Sequence, residues 1–206
     1  MLLFDEIQRA ITQIIGLCLL PFIVWIIRNI RHKSSPISFL QYVGLRKITI
    51  LDKRKFTLGI LAALMVGFSM SLVLDPMLPD DFQLANSRYM HQGIDALLPA
   101  LIFSFLATGL PEEVLFRGFI GKQLSKRFGF LVGNTIQAFI FGLLHGGMLY
   151  GRLDFIFPTL LLLYTGTLGW LMGYINKQAN DSILASWILH SVFNTYAVLL
   201  IMFHVT

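Results

Sequence analysis

Long hydrophobic runs dominate the pattern of this chain. Apolar stretches of roughly 17–25 residues alternate with short polar connections, and a helix of that length crosses about 30 Å of hydrocarbon. The predicted spans lie near residues 9–28, 56–75, 94–120, 129–146, 156–175 and 183–203. These runs are too long and too uniform for the alternating pattern of a membrane β-barrel. The pattern therefore predicts an all-α fold, a polytopic transmembrane bundle of about six helices.

Composition supports lipid as the solvent of this chain. Hydrophobic residues make up 56% and charged residues 13% of the 206 residues. The formal net charge of +5 does not indicate nucleic acid, because the basic residues fall in connections beside apolar spans, where membrane topology explains them. We expect one membrane domain over residues 1–206, with two N-terminal spans in 1–93 and a four-span core in 94–203. The bilayer is then its partner, and nucleic acid is not.

Charge in the connections predicts an orientation. Basic residues follow the first and third spans, namely Arg28, Arg31, Lys33, Arg46, Lys47, Lys53, Arg54, Lys55, Lys122, Lys126 and Arg127. The connection after the second span instead carries Asp75, Asp80 and Asp81 against Arg88. Since basic connections stay on the cytoplasmic side, we expect a multi-pass protein of the cell membrane with its N-terminus outside. Residues 37–45, within the first basic connection, fit either an interfacial segment or a solvated loop.

Ionisable residues well inside the predicted spans are few. They are Glu112, Glu113, Arg117, His145 and His190. A charged side chain near the bilayer centre costs at least about 2.5–3.5 kcal/mol, so such a set calls for mutual pairing or for a function. The purely structural explanation is one ion pair together with two buried, hydrogen-bonded histidines.

Helical spacing separates the two glutamates. Residues at i and i+4 share a helix face, so Glu113 can reach Arg117, whereas Glu112 lies about 100° away and faces elsewhere. Glu113 is thus the structural member, and Glu112 is the candidate general base. His190 and Asn194 also share a face. That imidazole and amide can either hold an oxyanion or simply form hydrogen bonds between helices.

Three short motifs carry these residues on successive predicted spans. They read Glu112-Glu113-Val114-Leu115-Phe116-Arg117, Phe141-Gly142-Leu143-Leu144-His145 and His190-Ser191-Val192-Phe193-Asn194. Their order and setting resemble the CPBP family of CAAX proteases and bacteriocin-processing enzymes, also called the Abi family, over residues 94–197. The resemblance implies an intramembrane endopeptidase of the glutamate type and of the bacterial branch, with no metal or other cofactor.

The resemblance also implies a role for each motif residue. Glu112 and His145 would activate a water, and His190 with Asn194 would stabilise the oxyanion. Glu113 and Arg117 would support them. The expected substrate is a peptide or small membrane protein, in bacteriocin processing or self-immunity.

Two alternatives stay open at this point. Glu112, His145 and His190 match the His₂Glu ligand set of a catalytic zinc in a membrane protease, although the His-Glu-x-x-His signature is absent. A non-catalytic membrane immunity or binding protein is the second alternative, because resemblance to an enzyme family does not establish turnover.

Overall fold

A computed structural model describes residues 2–79, 82 and 85–203 of the chain. Within those residues, six helices are long and apolar enough to cross a membrane. In chain order the spans are Leu2–Arg31, Lys53–Met77, Gly93–Phe128, Phe130–Gly147, Ile156–Gln178 and Leu184–Met202. The predicted all-α bundle of about six spans is confirmed, and the chain is a multi-pass membrane protein.

Two span boundaries differ clearly from the predicted ones, because the third span ends at Phe128 rather than near residue 120 and the first span begins earlier. The first helix begins at Leu2 rather than near residue 9, and its early turns keep polar residues. Among them Glu6 is fully buried, with its Oε1 2.6 Å from Nε of Arg88 and its Oε2 3.7 Å from Nε of Arg9. This pairing lets the helix extend beyond its apolar run. Asp80 and Asp81, used in the orientation argument, lie outside the described residues.

The third span continues through Pro111, a residue type that commonly kinks or ends a helix. Two π-helical stretches, Phe103–Gly109 and Val114–Gly121, flank the α-helical turn Leu110–Glu113. In a π-helical turn the N–H bonds to the carbonyl five residues back, as from Leu110 to Phe105. The wider turns accommodate the missing N–H of proline without breaking the helix. The short turn between them carries both glutamates.

Glycines bring the fifth span against its neighbours. A Cβ added to Gly142 of the fourth span would lie 3.0 Å from the Cα of Gly166 and 2.5 Å from the backbone oxygen of Leu162. At Gly169 the same addition would lie 3.2 Å from Nη2 of Arg117, so this glycine leaves room for the guanidinium. These glycines let the fifth span pack closely against the third and fourth spans.

Residues 37–45 pack onto one end of the bundle. Phe39–Val43 form a short helix that is capped by the Ser38 side chain, and Tyr42 and Val43 are buried. The backbone oxygen of Gly44 accepts a hydrogen bond from the Ile183 N–H, at 2.9 Å. The buried Tyr42 and Val43 show that the segment is not a fully solvated loop, whereas Leu40 is 53% exposed and the interfacial position stays a prediction. We call this end, where the basic connections meet, the basic end.

Candidate active site

The third, fourth and sixth spans bring Glu112 together with both intramembrane histidines. Oε2 of Glu112 lies 3.9 Å from Nε2 of His145 and 3.7 Å from Nε2 of His190. Both separations are too long for a direct hydrogen bond. A water molecule fits between Glu112 and either histidine, with its oxygen about 2.8 Å from both Oε2 and Nε2. Oε2 of Glu112 is buried and accepts no hydrogen bond from any described residue. This carboxylate oxygen is therefore available to a molecule that enters the site.

Glu113, by contrast, is fully buried and well partnered. Its Oε1 lies 3.0 Å from Nη1 of Arg117 and 3.0 Å from Nδ1 of His190. The Ser186 hydroxyl donates to its Oε2 at 2.5 Å and accepts a hydrogen bond from Nδ2 of Asn176. The contact with Arg117 that helical spacing predicts is present. The carboxylate also ties the third span to the sixth, and through Ser186 to the fifth.

These partners orient both imidazoles. Nδ1 of His190 faces the Glu113 carboxylate, and Nδ1 of His145 lies 2.8 Å from the backbone oxygen of Phe141. Because a carboxylate and a carbonyl only accept hydrogen bonds, each Nδ1 carries the proton. Each Nε2 is consequently the ring nitrogen that faces Glu112.

Phe141, the first residue of its motif, forms an apolar wall of the site. The centroid of its ring lies 4.1 Å from Cζ of Arg117, 4.3 Å from the ring of His145 and 6.1 Å from the ring of His190. The guanidinium thus rests on an aromatic face, where a cation is attracted to the ring. The ring of Phe141 covers one face of the Arg117 guanidinium.

Asn194 lies beside the turn that precedes Glu112. Its Nδ2 donates to the Thr108 hydroxyl at 2.7 Å, and Thr108 stands four residues before Glu112 on the same helix face. An amide nitrogen carries two protons, so one remains after this bond. The structure therefore places Asn194 near the site, with half of its donor capacity engaged.

Sequence reasoning did not identify three of these partners. Ser186 stands four residues before His190, so helical spacing offered a signal for it. Thr108 has the same relation to Glu112. Asn176 lies in the fifth span, which carries no motif, and nothing in the spacing linked it to Ser186.

The geometry also bears on the zinc alternative. Tetrahedral zinc with ligand bonds of about 2.0–2.2 Å needs donor atoms roughly 3.3–3.6 Å apart, slightly closer than Oε2 of Glu112 stands to Nε2 of either histidine. Among the described residues, no group of three or more His, Cys, Asp or Glu side chains is arranged to hold a metal ion.

Comparison with known proteins identifies the family of the chain. No curated protein and no solved structure matches the chain. The model of the family described as type II CAAX prenyl endopeptidase Rce1-like matches residues 94–196, which is half of the 206 residues. The matched region holds all three motifs, and the first two spans lie outside it. The chain therefore belongs to the Rce1-like family of type II CAAX prenyl endopeptidases, a family of proteases.

Proposed function

We propose that the chain is an intramembrane endopeptidase in which Glu112 and His145 activate a water molecule. The observation that carries this proposal is the buried Oε2 of Glu112, which has no hydrogen-bond donor and faces two imidazole nitrogens. An ionised carboxylate in this position takes a proton from water while the water oxygen attacks the peptide carbonyl carbon. The same proton then passes to the nitrogen of the leaving amine. A positioned base of this kind contributes about 10²–10⁴-fold to the rate.

His190 and Asn194 stabilise, in this proposal, the negative charge that develops on the carbonyl oxygen of the substrate. With Nδ1 held by Glu113, a protonated His190 directs its Nε2–H away from that carboxylate and toward the reacting atoms. The second N–H of Asn194 supplies another donor. Each donor aimed at an oxyanion in a dry site contributes about 2.7–4 kcal/mol.

The substrate in this proposal is a small membrane-associated peptide or protein. The candidate residues lie inside spans, so a peptide bond must reach them from the bilayer or from the basic end, which faces the cytoplasm in the predicted orientation. Bacteriocin processing or self-immunity is the biological role we propose.

A cleavage assay tests the proposed function. Purified protein in neutral detergent is incubated with apolar peptides that end in a Cys-aliphatic-aliphatic-X sequence, with and without a prenyl group, and products are identified by mass spectrometry. We expect a single internal cut, and comparison of the two forms shows whether a prenyl group is needed. A Glu112→Gln variant that retains full biological activity at equal expression would instead favour a non-catalytic immunity protein.

Chelation separates the glutamate mechanism from the zinc alternative. We expect cleavage to proceed at an unchanged rate after prolonged treatment with a strong zinc chelator, because Glu112 rather than a metal activates the water. Activity that is lost on chelation and restored by added zinc would overturn the glutamate mechanism.

Asn194→Ala is expected to lower kcat about 10²-fold with little change in KM, since an oxyanion donor acts mainly in the transition state. Thr108→Ala is the matched control, because it removes the other partner of the same hydrogen bond. We expect this control to keep most of its activity. Equal losses in both variants would assign Asn194 a structural role only.

A further inference from the structure

A second cavity lies at the basic end, and it adjoins the candidate site through Arg117 and Asn176. Its volume is about 430 Å³, and Glu112, His145 and His190 are not among the residues that line it. The cationic side chains along it are Arg28, Arg46, Arg117, Lys122, Lys126 and Lys177. Arg117 is paired with Glu113, and the other five come from the basic connections and the ends of the third and fifth spans. Asp181 is the carboxylate among its lining residues. We call it the basic cavity, and its charge suits an anion.

The cations of the basic cavity are poorly neutralised by the protein. Asp181 lies 3.8 Å from Lys177 and also interacts electrostatically with Lys122. Arg28 and Lys126 form no ion pair with any described residue, although Nη1 of Arg28 donates to Oδ1 of Asn29 at 2.8 Å. Nζ of Lys122 donates to the backbone oxygen of Tyr42 at a long 3.4 Å. Several positive charges therefore face one space with little compensation.

Buried amide oxygens line the same cavity. Gln137 is fully buried and Asn176 is 6% exposed, and both line the cavity. Oε1 of Gln137 and Oδ1 of Asn176 accept no hydrogen bond from a described residue. Their amide nitrogens are engaged, Gln137 with the backbone oxygen of Gly169 and Asn176 with Ser186, which fixes which atom is the oxygen. Two acceptors thus remain for hydroxyl donors.

Tyr42 adds a neutral donor to the lining. Burial raises the pKa of its hydroxyl, which therefore stays protonated at neutral pH. The hydroxyl oxygen accepts a hydrogen bond from Nε2 of Gln123 at 2.7 Å, so its proton remains to be donated. The cavity thus combines cations and a phenol for an anion with amide oxygens for hydroxyl groups.

We propose that the basic cavity binds a phosphoglycerol group. Arg28, Lys122 and Lys126 hold the phosphate, and the amide oxygens of Gln137 and Asn176 accept hydrogen bonds from the glycerol hydroxyls. Basic pockets between membrane helices are suited to phospholipid headgroups, and arginine and lysine are the usual phosphate partners. The group can come from an anionic phospholipid or from soluble glycerol phosphate. This proposal does not depend on peptide cleavage.

Thermal unfolding of the full chain in neutral detergent tests the proposal. The probes are phosphatidylglycerol doped into the micelles, glycerol 3-phosphate, inorganic phosphate, and phosphatidylcholine as the zwitterionic reference. Binding to the folded state raises the melting temperature in a concentration-dependent way, which yields an apparent affinity. We expect phosphatidylglycerol to stabilise the protein where phosphatidylcholine does not.

Matched double variants locate the site. Arg28→Gln with Lys126→Gln removes two charges from the cavity, whereas Arg31→Gln with Arg127→Gln removes two charges from the same helical turns without altering its lining. The cavity variant is expected to bind about 10- to 30-fold more weakly, and the control less than about threefold.

Each outcome of this experiment is decisive. Stabilisation by phosphatidylglycerol alone, lost in the cavity variant, supports the proposal with a lipid as the source. Cavity-dependent stabilisation by glycerol 3-phosphate supports it with a soluble source. Equal losses in both variants, no stabilisation by either glycerol compound, or equal stabilisation by inorganic phosphate would overturn it.

Discussion

Replacing Glu112 with glutamine is expected to leave a well-inserted, stable protein whose rate of peptide hydrolysis is about 10²–10⁴-fold lower, or lower still. Glutamine has nearly the same shape but takes no proton from water at neutral pH. Because Oε2 of Glu112 has no hydrogen-bond partner among the described residues, the change breaks no hydrogen bond at this oxygen. Peptide cleavage and thermal unfolding, measured on the same preparation, check both halves of this prediction.

Glu6→Gln is the matched control for Glu112→Gln. Glu6 is also a buried carboxylate, but it pairs with Arg88 and Arg9 rather than with the candidate site. We expect this variant to unfold at a lower temperature yet to cleave at an undiminished rate in its folded fraction. Should Glu112→Gln cleave as fast as the Glu6 variant, Glu112 would not be the base.

Glu113→Gln is expected to destabilise the protein by about 3–5 kcal/mol, because it leaves the Arg117 guanidinium buried without its counter-charge. For a chain of this size that corresponds to a fall of about 6–20 °C in melting temperature. Activity should fall as well, since His190 loses the carboxylate that orients its ring. Thermal unfolding in detergent measures the main effect.

A double variant separates the lost ion pair from general damage to the site. Glu113→Gln combined with Arg117→Met removes both buried charges, so it should unfold at a higher temperature than Glu113→Gln alone. A double variant that is less stable than either single variant would show that the pair does not act as one unit.

The fold was largely predictable because hydrocarbon imposes its own rules. Long apolar runs must be helical in lipid, and the six predicted spans correspond to the six found. The errors lie where polar residues extend a helix beyond its apolar run, as Glu6 does by pairing with Arg88 from a distant connection. A hydropathy pattern does not contain such a contact.

In the candidate site, contacts within one helix were predictable and contacts between helices were not. The contact of Glu113 with Arg117 lies within one helix, so a spacing of four residues predicts it. The contacts of Glu113 with Ser186 and His190 join residues 73 and 77 positions apart, and only the packing of the spans brings them together. The resemblance placed the motifs side by side, but the orientation of each imidazole came from the structure.

The pairing of Glu113 with Arg117 inside a single helix has a consequence for biogenesis. The third span carries two carboxylates near its middle, Glu112 and Glu113, and must enter lipid during translation, before the residues that become the sixth span have been made. Arg117 already neutralises one of the carboxylates at that moment, because the two residues occupy the same helix. The nascent helix therefore inserts with one uncompensated charge rather than two. If the arginine lay on a later span, the third span would enter the bilayer with both carboxylates unpaired.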